Sequence, residues 1–193
     1  SMLDQDVAIK ILKLGLASQS EQDRFLFEAR IGAKLRHPNI ISVLDIIQSA
    51  AGLQMIMEYC PNGTLSDRIK AKGPLRPRAA IDIARQVAQA LGHAHRRNYV
   101  HRDVKPANIF MAGEGPVKLG DFGIAAYTDL HEFTQTGMII GTPLYMAPEQ
   151  ASDSRDVDPR ADVYSLGLTL YYALTGRSPR PRSSSASGSS PSS

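Results

Sequence analysis

The sequence predicts an α+β fold, with β-structure gathered in the first sixty residues and helix dominating the remainder of the chain. Three observations carry this. Runs rich in branched apolar residues fall at 7–12, 39–48 and 53–59. Two long stretches with the 3.6-residue apolar period fall later, near 77–98 and 158–176. Apolar residues make up 42% and charged residues 21% of the chain, the balance of a globular domain that buries a core. A length of 193 residues suits one domain or a small two-lobed one.

"VAIKIL" at the start alternates as a strand does, Val7, Ile9 and Ile11 pointing one way and Ala8, Lys10 and Leu12 the other. A helix comes next. Ser20 with Asp23 three residues on predicts its capping box. It runs to about Arg36 and stops before Pro38. Phe25, Glu28, Ile31, Gly32 and Leu35 share its inward face, so Glu28 is an acid on an apolar surface. Gly32 weakens the helix by about 1 kcal/mol relative to Ala.

"NIISVLDIIQ" and "LQMIMEY" predict a hairpin turning at Ser49–Gly52. "CPNGTLSDRI" is a turn into a short helix. The next helix carries Ala80, Ala84, Val87, Leu91 and Ala94 on one face. "NIFM" and "VKLGDFG" predict two short strands. Residues 124–149 form a long irregular stretch. An apolar helix begins near Pro159 with Asp158 as its N-cap. The closing "SSSASGSSPSS" buries too little apolar surface to order itself and predicts a flexible tail over 179–193.

Composition also excludes. A net charge of +3 with no Lys/Arg stripe interleaved with aromatics gives no nucleic-acid footprint. Cys60 is the single cysteine, so no disulfide staples the fold. No apolar run reaches the length of a membrane span.

The chemistry is concentrated in "HRDVKPANIF", His101 to Phe110, which sets acid, bases, amide and proline directly after an apolar helix. With "VAIK" at Val7–Lys10, "DFG" at Asp121–Gly123, "GTPLYMAPE" at Gly141–Glu149 and "DVYSLG" at Asp162–Gly167, in that order, the chain resembles the protein kinase family over about residues 4 to 178. The "APEQ" ending is similar to bacterial-type Ser/Thr kinases.

The resemblance implies a two-lobed kinase-like fold, with a small β-rich lobe over 3–60 and a mainly helical lobe over 61–178. It implies transfer of the ATP γ-phosphate to Ser/Thr hydroxyls of protein substrates, with Mg²⁺. Lys10, held by Glu28, would meet the α- and β-phosphates. Ala8 and Phe110 would cover the two faces of adenine, Met57 would control the deep pocket, and backbone groups of Glu58 and Cys60 would bind the adenine edge. Asp103 would be the base and Lys105 the γ-phosphate cation, while Asn108 and Asp121 would hold metal. Arg102 would dock a phosphate on Thr134 or Thr136, and Thr142 would shape the substrate pocket. His101 and Phe122 would pack as internal support. A cytoplasmic location is implied, alone or as the cytoplasmic part of a longer membrane-anchored chain.

The chain opens almost at "VAIK", with no G-x-G-x-x-G upstream, and turns to Ser-rich sequence after "YYALTGR". This predicts a small lobe without its Gly-rich-loop strands and a large lobe shortened after the helix at 159–175. It keeps a second function open, a catalytically impaired binding or scaffold module. A small-molecule phosphotransferase is a third reading, and "GTPLYMAPE", which shapes a peptide-docking surface, argues against it.

Overall fold

The computed structural model describes residues 6–13, 15, 17–113, 115–122, 144–152 and 157–179, the side chains of 151 and 152 excepted. The expectations for Thr134, Thr136, Thr142, most of the irregular stretch and nearly all of the Ser-rich tail lie outside the described residues.

Strands β1 (Val7–Leu12), β2 (Val43–Ser49) and β3 (Gly52–Glu58) form an antiparallel sheet in the order β1-β3-β2. The register sets Ala8 against Met57 and Lys10 against Met55. Val7, Ile9 and Ile11 lie on the exposed face. Ala8, Lys10 and Leu12 lie on the more buried face, as the two-residue period requires. Helix α1 (Gln19–Lys34) covers that face, packing Phe25 and Ala29 on Leu53 and Met55.

The capping box of α1 is not the expected Ser20–Asp23 pair. Ser18 is the N-cap: its hydroxyl accepts from the Glu21 N–H, and Glu21 reaches back to the Ser18 N–H at 2.7 Å. The same S-x-x-acid spacing recurs two residues earlier, with Glu21 as the acid.

The stretch 39–48 is not one strand. Its first residues turn away: Ile40 bridges Leu119, and the Ile41 N–H donates to the Leu119 carbonyl at 2.9 Å. Only from Ser42 onward does the chain bond to β3, the Glu58 N–H donating to the Ser42 carbonyl at 3.0 Å before the ladder begins at Val43. This divided loyalty stitches the three-stranded sheet to the second ribbon, β4 (Ile109–Phe110) and β5 (Lys118–Leu119).

Helix α2 (Leu65–Lys72) starts on a Thr64–Asp67 capping box. Helix α3 (Pro77–His95) has no side-chain cap and begins on Pro77, whose missing N–H costs nothing there. Its buried face is Ala80, Ile83, Val87, Ala90, Leu91 and Ala94. Ala84, expected on that face, is only half-buried, because the stripe drifts toward Ile83 and Ala90. A short helix α4 (Pro148–Ser152) begins where the irregular stretch was expected to end. Helix α5 (Pro159–Thr175) is capped by Asp158 and closed by Gly176 at φ 67°.

One core runs from Ile31 of α1 and its C-cap Leu35 through Ile40 to α2, α3, Val104, Ile109, Leu119 and Tyr172. It forms the floor on which the polar loops of the site rest.

Candidate active site

The loop after α3 carries the polar run that begins at His101, and it is pinned from several sides. Asp162 of α5, fully buried, accepts from the His101 N–H at 2.9 Å and the Arg102 N–H at 2.7 Å. His95 at the end of α3 meets the same carboxylate, Nε2 lying 2.7 Å from Oδ2. Arg102 sits at φ 64°, a left-handed conformation that a side-chain-bearing residue adopts only when its surroundings impose it.

His101 is fully buried and T-stacked on Phe122, the ring centroids 4.5 Å apart. Its Nδ1 accepts from the Asp103 N–H at 3.2 Å, which makes Nε2 the protonated nitrogen, donating to the Gly120 carbonyl at 2.9 Å. One ring thus ties the loop bearing Asp103 to the residue before Asp121.

Asp103 is gripped by its own loop. Lys105 Nζ lies 2.7 Å from Oδ2 and 3.0 Å from Oδ1. Asn108 Nδ2 donates to the Asp103 carbonyl and to Oδ2, each at 2.9 Å. The single 3₁₀ turn Pro106–Asn108 folds Asn108 back to make this possible.

Asp121 stands across the loop. Gly120 N–H donates to the Asn108 carbonyl at 2.9 Å, so the two loops run side by side. Position 120 is glycine for a steric reason: a β-carbon there would stand 2.7 Å from the Phe110 ring. Lys10 of β1 lies 2.8 Å from Glu28 Oε1 and 3.0 Å from Asp121 Oδ1.

The charges of this trio are unequal. Burial works to lower Lys10, but the Asp121 and Glu28 carboxylates outweigh it and hold the ammonium above the ordinary lysine value. Burial works to raise Asp121, and Lys10 outweighs it, so Asp121 is held below the usual carboxylate range. Burial dominates Glu28 and, despite Lys10, pushes it up to about 7. One ammonium between two carboxylates cannot satisfy both, and the less exposed acid yields.

Asn108 and Asp121 together fit a magnesium ion. Both are hard oxygen donors, and the Asn108 amide nitrogen is committed to Asp103, which leaves its oxygen for another partner. No group of three or more His, Cys, Asp or Glu converges among the described residues.

The remaining expected residues lie around this centre. Ala8 is beside Lys10 on β1, and Met57 is opposite Ala8 on β3. Phe110 bridges Thr64 and abuts Gly120. Cys60 is buried just past β3. The Glu58 N–H is taken by the Ser42 carbonyl at 3.0 Å, and its side chain meets Lys118 Nζ at 3.0 Å. Sequence reasoning missed Asp162, His95, Gln150 and Lys118 as supports. The available signal was polar residues within otherwise apolar elements, most visibly Asp162 at the start of an apolar helix.

The family model for the protein kinase domain matches residues 2–190. Serine/threonine-protein kinase PknB of Mycobacterium leprae is 45% identical over 183 residues, covering 92% of this chain and 29% of that protein. Serine/threonine-protein kinase PrkC of Bacillus subtilis is 40% identical over 179 residues, covering 92% of this chain and 28% of its own length. Serine/threonine-protein kinase PknL of Mycobacterium bovis is 39% identical over 178 residues, covering 92% and 44%. The chain therefore spans less than a third of the first two relatives. No helix among the described residues is long and apolar enough to cross a membrane. With its α+β architecture, its paired polar loops and these matches, the chain belongs to the protein kinase family, among the bacterial-type serine/threonine kinases.

Proposed function

We propose that this chain carries the catalytic centre of a serine/threonine protein kinase, moving the γ-phosphoryl group of ATP to Ser and Thr hydroxyls of proteins. The observation that carries it is the facing pair of clusters: Asp103 held by Lys105 and Asn108, and Lys10 held by Glu28 and Asp121.

Phosphoryl transfer is chiefly positioning and charge neutralisation. Lys10, fixed by Glu28, binds the α- and β-phosphate oxygens. Asn108 and Asp121 would hold magnesium, which would supply charge neutralisation at the phosphates when bound. Asp103 orients the acceptor hydroxyl and takes its proton. The hydroxyl oxygen bonds to the γ-phosphorus as the bond to the β–γ bridging oxygen breaks and ADP leaves. Lys105 swings from Asp103 to the γ-phosphate as charge develops there. Adenine lies between Ala8 and Phe110, with its edge on backbone of Glu58 and Cys60 and with Met57 at the deep end. Thr134 or Thr136 accepts a phosphate that docks on Arg102, and Thr142 shapes the acceptor pocket.

The test is phosphate transfer from labelled Mg-ATP to the chain itself and to a generic basic protein, with Asp103→Asn as control. Wild type labels and the variant does not, with a loss of about 10²-fold or more. Equal signal in both removes Asp103 from the role. Absence of transfer, together with no nucleotide-dependent rise in Tm, favours a binding module instead.

A further inference from the structure

Gln150, on the short helix α4, is 5% exposed and faces two elements at once. Its Oε1 accepts from the Ala147 N–H at 3.1 Å, closing the first turn of α4. Its Nε2 donates to the Arg102 carbonyl at 2.9 Å. The amide orientation is forced, because a flip would set oxygen against the carbonyl and N–H against N–H.

The Arg102 carbonyl belongs to the peptide that joins Arg102 to Asp103. The N–H of that same peptide is held by His101 Nδ1 at 3.2 Å. The preceding N–H is held by Asp162 Oδ1 at 2.7 Å. So the peptide plane from which Asp103 projects is gripped at both its polar ends, and one grip comes from a different segment. Arg102 at φ 64° would relax without such grips.

We propose that Gln150 is a positioning residue for Asp103, fixing the Arg102–Asp103 peptide through its side-chain amide. The inference rests on the kinase reading for its catalytic consequence, though not for the grip itself. Gln150 touches neither phosphate nor hydroxyl; it acts through backbone. A misplacement of about 1 Å at a reacting group costs on the order of 10²-fold in rate, so the loss appears in kcat rather than in nucleotide binding.

Two substitutions separate positioning from mere support of α4. Gln150→Glu keeps an oxygen for the Ala147 N–H, and an acid suits a helix N-terminus. It also sets a second oxygen against the Arg102 carbonyl. Gln150→Leu removes both bonds at similar volume. Hydrogen exchange of the 101–104 amides in the full chain is the readout that does not need activity. In both variants these amides exchange about tenfold faster or more, while those of α3 keep their protection. In Gln150→Glu, kcat falls about tenfold or more with KM for ATP within about threefold. Unchanged exchange at 101–104 in both variants overturns the proposal, as does faster exchange with unchanged kcat. Should the wild-type chain transfer no phosphate, the exchange result alone decides the grip and the failure belongs to the kinase reading.

Discussion

Val43 stands where Gly32 would carry a side chain: a β-carbon on Gly32 would collide with the Val43 Cγ2 methyl. The bare Cα lets α1 settle onto β2. Helix propensity alone favours Gly32→Ala by about 1 kcal/mol. The collision opposes it, and overpacking costs about 1–3 kcal/mol, with Val43 too stiff at χ1 to move aside. Gly32→Ala therefore lowers stability by up to about 2 kcal/mol in urea denaturation. Adding Val43→Ala relieves the clash, so the double variant is more stable than additivity predicts.

Asp162 is the second test. It is fully buried and holds two backbone N–H groups and His95. Asp162→Ala leaves all three donors without their acceptor, and breaking a buried pair costs about 3–5 kcal/mol. His95→Gln removes one contact and costs about 1.5–3 kcal/mol, the range for a hydrogen bond to a charged group. A double-mutant cycle between them in urea should give a coupling of at least about 0.5 kcal/mol. Strict additivity would show that the 2.7 Å contact does not matter.

Glu28→Gln examines the trio around Lys10. The amide cannot neutralise the ammonium, and Lys10 then swings toward Asp121 alone. Binding of Mg-ATP weakens about tenfold, about 1.4 kcal/mol. The rise in Tm at fixed millimolar nucleotide shrinks accordingly. An unchanged nucleotide-dependent shift would separate Glu28 from Lys10 positioning.

His37 and His93 give the pH dependence. Their rings lie 5.0 Å apart where the loop after α1 meets α3. Burial first, then Arg96 and Lys118, lower His37. Burial first, then Arg97, His37 and Arg96, lower His93. Both therefore bind protons less readily folded than unfolded. The unfolded chain takes up protons at these rings as pH falls through about 6.5 while the folded chain resists, so the pair's contribution to stability rises with pH across that window. Glu28, pushed up to about 7, works in the opposite direction, so the readout is a difference: between about pH 5.5 and 7.5 the Tm of the wild type gains on that of His37→Gln, whose ring no longer titrates. Parallel curves would exclude the pair as a source of the slope.

Much of the clustering in the candidate site was legible because its polar side chains fall at close spacing along the chain. Asp103, Lys105 and Asn108 fall close together along the chain, and their mutual bonds are local. Lys10 and Glu28 were legible as a cation and an acid that each sit on the face their element buries. The supports were harder to see. Gln150 grips a carbonyl 48 positions away, and the bond depends on a loop path that no period encodes. Ile40 and Ile41 carried a strand pattern, yet they pair with Leu119, because β-propensity does not name a partner. The cap of α1 was displaced from Ser20 to Ser18 because two serines offer the same spacing to an acid three residues on, and the pattern alone does not choose between them.

The anchoring of Arg102 by Asp162 also bears on synthesis. The two are 60 positions apart, and a ribosome adding about 5–20 residues per second needs roughly 3 to 12 s to cover them. By the later part of that interval the nascent chain holds Asp103, Lys105, Asn108 and Asp121 but lacks the carboxylate that fixes the turn before Asp103. The anchored form of that turn therefore cannot precede emergence of α5 from the exit tunnel.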